Sequence, residues 1–235
     1  MEKALENVSR LLGRDTAQFW RNRFERVRQM PGASREFKRI ANTPDKGQIG
    51  DYLAEIRYAL VFAGLGFQIE IEPLGKNGPD FRISRDGHTA FLEVARFRLI
   101  HPGPPKISLS DKEFLDDTFL LESYGDPARD LMKAFDKIEG KFRQIGDKEA
   151  IIAIWNDDED LEEIEMEQVP DLFREAAKDR PLPKGLSFVL YGSNCLRKHQ
   201  QLYCFPLQEP GEPHQANWRS ELESSLVASE IGEEY

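Results

Sequence analysis

Asp86-Gly87 separates two strand-like runs, Asp80–Arg85 and Thr89–Phe97. An Asp-Gly pair between such runs is a strong hairpin signal, because both residues tolerate the left-handed backbone that a tight two-residue turn needs. A hairpin here puts Asp80 and Glu93, thirteen residues apart, on one sheet and within reach of one divalent metal ion. From Gly47 to Gly64, Ile49, Leu53, Ile56, Leu60 and Ala63 recur at helical spacing, and Gly64-Leu65-Gly66 ends that helix. The run Phe67–Glu72 is a further strand candidate. The expected order is therefore helix and then three strands.

Upstream, Leu5, Val8, Leu12, Phe19, Trp20, Phe24 and Val27 predict one or two helices over residues 1–30. Breaks follow at Met30-Pro31-Gly32 and at Asn42-Thr43-Pro44-Asp45, with a short helical piece from Arg35 to Ala41 between them. Downstream, residues 101–127 read as a long excursion with one short helix near Asp111–Leu121. Ala128 to Ile145 is an amphipathic helix, and Ala150–Trp155 is apolar throughout, like a strand buried on both faces. A helix over Val169–Lys178, paired strands at Leu186–Tyr191 and Gln201–Leu207, and a helix at Trp218–Ser229 complete the reading. The pattern fits an α/β fold with a mixed central sheet flanked by helices. It divides into an N-terminal helical extension (1–46), a core (47–210) and an acidic C-terminal tail (211–235).

The 235 residues hold a formal net charge of −10, which argues against a generally basic nucleic-acid-coating protein. The charge is uneven: residues 14–39 are locally basic, whereas 157–171 hold acids and no base. Arg21, Arg23, Arg26 and Arg28 are the leading candidates for phosphate contacts. Phe19, Trp20 and Phe24 among them suit either base stacking or, more simply, core packing. Two cysteines, Cys195 and Cys204, make no disulfide framework and suit reduced thiols. No membrane span and no signal-peptide run is visible, and a cytoplasmic location is the default expectation.

Three acids stand out. Glu55 lies on a helix whose neighbours Tyr52, Tyr58, Ala59 and Phe62 are apolar or aromatic, so its carboxylate needs a partner: a metal, a hydrogen-bond network, or a base such as Arg57 or one elsewhere in the fold. Asp80 follows Gly78-Pro79 at a strand entrance, where Asp also serves as a turn residue. Glu93 sits in mid-strand between Leu92 and Val94, and shares its face with Phe91 and Ala95. Acids are depleted in buried strands, which makes Glu93 the most informative single residue. Converging carboxylates repel, and Mg²⁺ or Mn²⁺ relieves that repulsion through hard oxygen ligands.

Glu55 on the first helix of the core, Pro79-Asp80 on the second strand, Glu93-Val94-Ala95 on the third, and the helix and strand at 128–155 after them resemble the PD-(D/E)XK phosphodiesterase superfamily, over roughly residues 47–156. The resemblance implies the restriction-endonuclease-like fold, with a four-stranded central mixed sheet and metal-dependent cleavage of nucleic-acid phosphodiesters, DNA or RNA. It implies Asp80, Glu93 and the Val94 carbonyl as Mg²⁺ or Mn²⁺ ligands, with Glu55 completing the shell. Many proteins of this fold act as dimers, so the resemblance leaves a homodimer open. The departure is Ala95, which stands where the family has a lysine. Arg96 points to the opposite face and is no simple substitute. Lys141 on the following helix lies about 80° from the Leu131 direction, at the edge of the apolar stripe, and Gln144 lies nearby. Lys141 would then assist the water and Gln144 orient it. The alternative is a nuclease-fold protein that no longer cleaves and serves as a nucleic-acid- or protein-binding subunit.

Overall fold

The computed structural model describes residues 1–75, 78–97, 148–156, 185–193 and 202–206. The expected helices at 111–121, 128–145, 169–178 and 218–229, together with Lys141, Gln144 and Cys195, lie outside the described residues. Helix α4 (Lys46–Gly64) begins at the N-cap Asp45, whose carboxylate accepts from Gln48 N at 2.7 Å. Ile49, Leu53, Ile56, Tyr58, Ala59 and Phe62 bury it on nearly all sides. A helix apolar all round belongs in an interior.

Three helices precede it: α1 (Glu2–Leu12), α2 (Arg14–Val27) and α3 (Ala33–Asn42). They share one continuous apolar core with α4 and the sheet, through Val8, Trp20, Phe24, Phe37 and Ile40. Asn7 joins α1 to α3: its side-chain amide donates to the carbonyls of Ile40 at 2.7 Å and Thr43 at 2.8 Å. The turn before α3 is set by Gly32, which has φ +90° and lies so close to the Ile71 carbonyl that a Cβ would overlap it. Ile71 N also donates to Pro31 O at 2.8 Å. These contacts fix the start of α3 against the end of the first strand.

The sheet is mixed and has six strands in the order β1 to β6: β1 (Gln68–Ile71), β2 (Phe81–Arg85), β3 (His88–Phe97), β4 (Ala150–Asn156), β5 (Leu186–Ser193) and β6 (Leu202–Pro206). Strands β1, β2 and β3 pair antiparallel, β3–β4 and β4–β5 parallel, and β5–β6 antiparallel. The sheet is thus wider than four strands: β4 is buried on both faces, so its far edge also needs a hydrogen-bonding partner, and β5 supplies it. At the hairpin, Asp86 and Gly87 take φ of +53° and +83°, as a left-handed two-residue turn requires. No helix among the described residues is long and apolar enough to cross a membrane.

The ten-residue strand β3 has two unlike halves. Residues 88–92 pair with β2, and residues 91–97 pair with β4. Beyond Leu92 the β2 ladder has ended, so the sheet forks at Glu93.

Candidate functional site

The fork is assembled from three adjacent strands and two helices. The last β1–β2 pair is Ile71–Phe81 and the last β2–β3 pair is Phe81–Leu92. One step further along the same register come Glu72, just past β1, Asp80, just before β2, and Glu93 within β3. Glu72 N donates to Asp80 O at 2.7 Å and continues the first ladder. On the other side the carboxylate of Asp80 replaces the backbone: Val94 N donates to Asp80 Oδ2 at 2.8 Å. Asp80 is therefore held at the open edge of β3. Leu92 and Val94 enter the core shared with α4, and Glu93 alternates with them to the other face.

Helix α4 brings Glu55 near Asp80, and α3 brings Glu36; Glu93, from the other face, acts on Glu55 most weakly of these acids. The buried acids among the described residues are these five, Glu36, Glu55, Glu72, Asp80 and Glu93. Burial pushes the Glu55 carboxyl well above the usual range, and Asp80, Glu36 and Glu93 add to the shift against the opposing Arg39. Burial likewise raises Glu36 to about 7; Arg39 lowers it, while Asp80 and Glu72 raise it. Glu36 Oε1 is buried without a hydrogen-bond partner. Of the three expected acids, Asp80 and Glu93 are thus close enough to Glu55 to raise its carboxyl.

The partner of Glu55 is Arg39, a residue the sequence did not single out. Arg39 Nη1 reaches Glu36 Oε2 at 2.9 Å, Glu72 Oε1 at 3.0 Å and Glu55 Oε2 at 3.4 Å. Its guanidinium stacks on Tyr52, 4.3 Å from the ring centre. Arg35 braces the β1 end by donating to the carbonyls of Ile71 and Glu72, each at 3.2 Å. Glu72 has φ +48°, a conformation costly for a residue with a Cβ. Among the described residues no ion pair joins Arg57 to Glu55; the Arg57 guanidinium lies 4.1 Å over Trp155 and 5.6 Å from Trp20. Arg96 is committed elsewhere, donating to Gly47 O at 3.0 Å beside Asp51.

The arginines of α2 are not brought to the fork by any described ion pair or hydrogen bond. Arg21 pairs with Glu2 and Arg28 with Glu25, both at 3.4 Å and both exposed. Arg23 lies over Phe19 at 3.7 Å, and Arg26 is exposed. Trp20 and Phe24 are core residues, which accounts for them without base stacking. Arg28 lines an open groove of about 620 Å³ between α1 and α3, with Lys3, Phe37 and Lys38.

Among the described residues, no three His, Cys, Asp or Glu side chains form a group that could hold a metal ion. The donors present nevertheless suit a hard cation, since Mg²⁺ is commonly bound by one or two carboxylates with water filling the other positions. Asp80 with Glu93, or Asp80 with Glu55, are the carboxylates that would hold it. Searches of protein-family models, curated proteins and solved structures find no match to this chain.

Proposed function

We propose that the chain is a metal-dependent nuclease of the PD-(D/E)XK type, with the restriction-endonuclease-like fold, that hydrolyses phosphodiester bonds in DNA or RNA. The observation that carries this reading is the convergence of Asp80 and Glu93 on Glu55 near the end of the β2–β3 pairing, where burial and both of these acids push the Glu55 carboxyl well above the usual range. In this proposal Asp80 and Glu93 hold Mg²⁺ or Mn²⁺, with the Val94 carbonyl as a further ligand and Glu55 acting directly or through water. The ion, when bound, neutralises charge developing on the phosphodiester and lowers the pKa of the attacking water. Asp80 is already oriented by the Val94 amide, so little ordering is left for binding. Lys141, assisted by Gln144, is proposed to take the place of the lysine missing at Ala95.

A second reading has a specific observation behind it. Ala95 offers no cation, and Arg39 already pairs with Glu55 and Glu72. A non-cleaving nuclease-fold protein that binds nucleic acid or a protein partner would tolerate both. The test is cleavage of end-labelled single- and double-stranded DNA and RNA with Mg²⁺, Mn²⁺ or EDTA, beside Lys141→Ala. Metal-dependent cutting supports the nuclease; folded protein that cuts none of these substrates supports the binder.

A further inference from the structure

We infer that Arg39 is the built-in counter-ion of the fork and competes with a divalent cation for its carboxylates. The inference rests on the metal-dependent reading above and adds a control to it. One nitrogen, Arg39 Nη1, stands within ion-pair distance of Glu36, Glu55 and Glu72, from two helices and one strand end. A single cationic atom shared by three carboxylates stands where a metal ion drawn to Glu55 would also be drawn.

Two features make the contact reversible. The Arg39 side chain is 31% exposed, whereas those of Glu36, Glu55 and Glu72 are 1%, 9% and 10% exposed, so the guanidinium can withdraw to water while the acids cannot. Tyr52 supplies a face on which the planar group rests, a contact available without a full set of acid partners. Glu36 Oε1, buried and without a hydrogen-bond partner, shows that the guanidinium does not satisfy every acid oxygen around it. Arg39 thus keeps the cluster foldable without metal and weakens metal binding by its charge.

Isothermal titration with Mn²⁺ at mildly alkaline pH, where Glu36 is ionised, tests this on the full chain. Saturable binding is expected for the wild type, weak binding for Glu93→Gln, and about tenfold tighter binding for Arg39→Gln, the size of one partly screened charge at this range. Arg39→Lys keeps the charge but loses the planar fork, and should tighten binding by a smaller factor; it serves if Arg39→Gln does not fold. Equal Mn²⁺ affinity in the wild type and folded Arg39 variants overturns the counter-ion role and leaves the metal site standing. Absence of Mn²⁺ binding in every folded protein overturns the metal reading and this inference with it.

Discussion

The Asn7 junction and the β2–β3 fork both place polar groups in the interior, and they settle them in opposite ways. At the junction each Asn7 amide hydrogen has a carbonyl, from Ile40 and Thr43, and Asn7 Oδ1 accepts from Arg10 at 2.5 Å. Elsewhere in the core, Tyr58 OH donates to Ile154 O, and Ser187 Oγ donates to Ala150 O at 3.1 Å. These are matched donor–acceptor pairs of the kind that hold a fold together. At the fork, three carboxylates share one guanidinium nitrogen and two of them are pushed to hold protons. Stability alone does not call for such a cluster, since buried acids cost more than the apolar residues that could replace them. The difference teaches that buried polarity is informative by its balance of donors and acceptors.

The largest effect separating the two regions is on activity. Glu93→Gln should reduce metal-dependent cleavage at least about a hundredfold while leaving the circular dichroism spectrum intact. Asn7→Ala should leave the activity of the folded protein unchanged. Retained cleavage in Glu93→Gln would end the contrast.

The next effect is on the pH dependence of stability. Glu36 titrates near 7 in the folded chain against an ordinary 4.5. Between these values the folded state keeps a proton that the unfolded state has released, so stability is full below about 4.5 and falls as pH rises through about 7. Glu36 contributes a loss on the order of 3 kcal/mol across that window, and Glu55 extends it to higher pH in the same direction. Urea denaturation of metal-free protein at several pH values checks this. Glu36→Gln should flatten the slope, and a rise in stability over the window would refute the account.

Two structural variants sharpen the other side. Asn7→Ala strands two buried carbonyls and should cost about 2 kcal/mol by urea denaturation, with no change in the pH slope. Tyr58→Phe removes one hydrogen bond to Ile154 O and should cost about 1 kcal/mol. A steepened pH slope in either variant would mean that the two regions are coupled.

Much of the fork was legible in the sequence because it depends on local chemistry. Asp86-Gly87 set the hairpin, the apolar periodicity from Gly47 to Gly64 marked α4, and an acid within Leu92-Glu93-Val94 contradicted its surroundings. Glu36, Arg39 and Glu72 were hidden for a different reason. Glu36 and Arg39 belong to a charged, basic stretch that resembles a solvated helix face. Glu36 is buried and Arg39 half-buried where Pro31-Gly32 docks against Ile71, a contact spanning some forty residues of chain. Glu72 ends its strand with a positive φ that carries no signal in the residue itself. The Glu36-x-x-Arg39 spacing was available as an i,i+3 pair, but such pairs are commonplace on exposed helices and do not announce a buried site.

The most direct measurement is the anomalous difference map of a crystal soaked in Mn²⁺. The account predicts a peak bound by Asp80 and by Glu93 or Glu55, at about 2.1–2.2 Å from their oxygens, with Arg39 drawn away from Glu55. A map with no peak at the fork at saturating Mn²⁺, and Arg39 still paired with Glu36, Glu55 and Glu72, would contradict it.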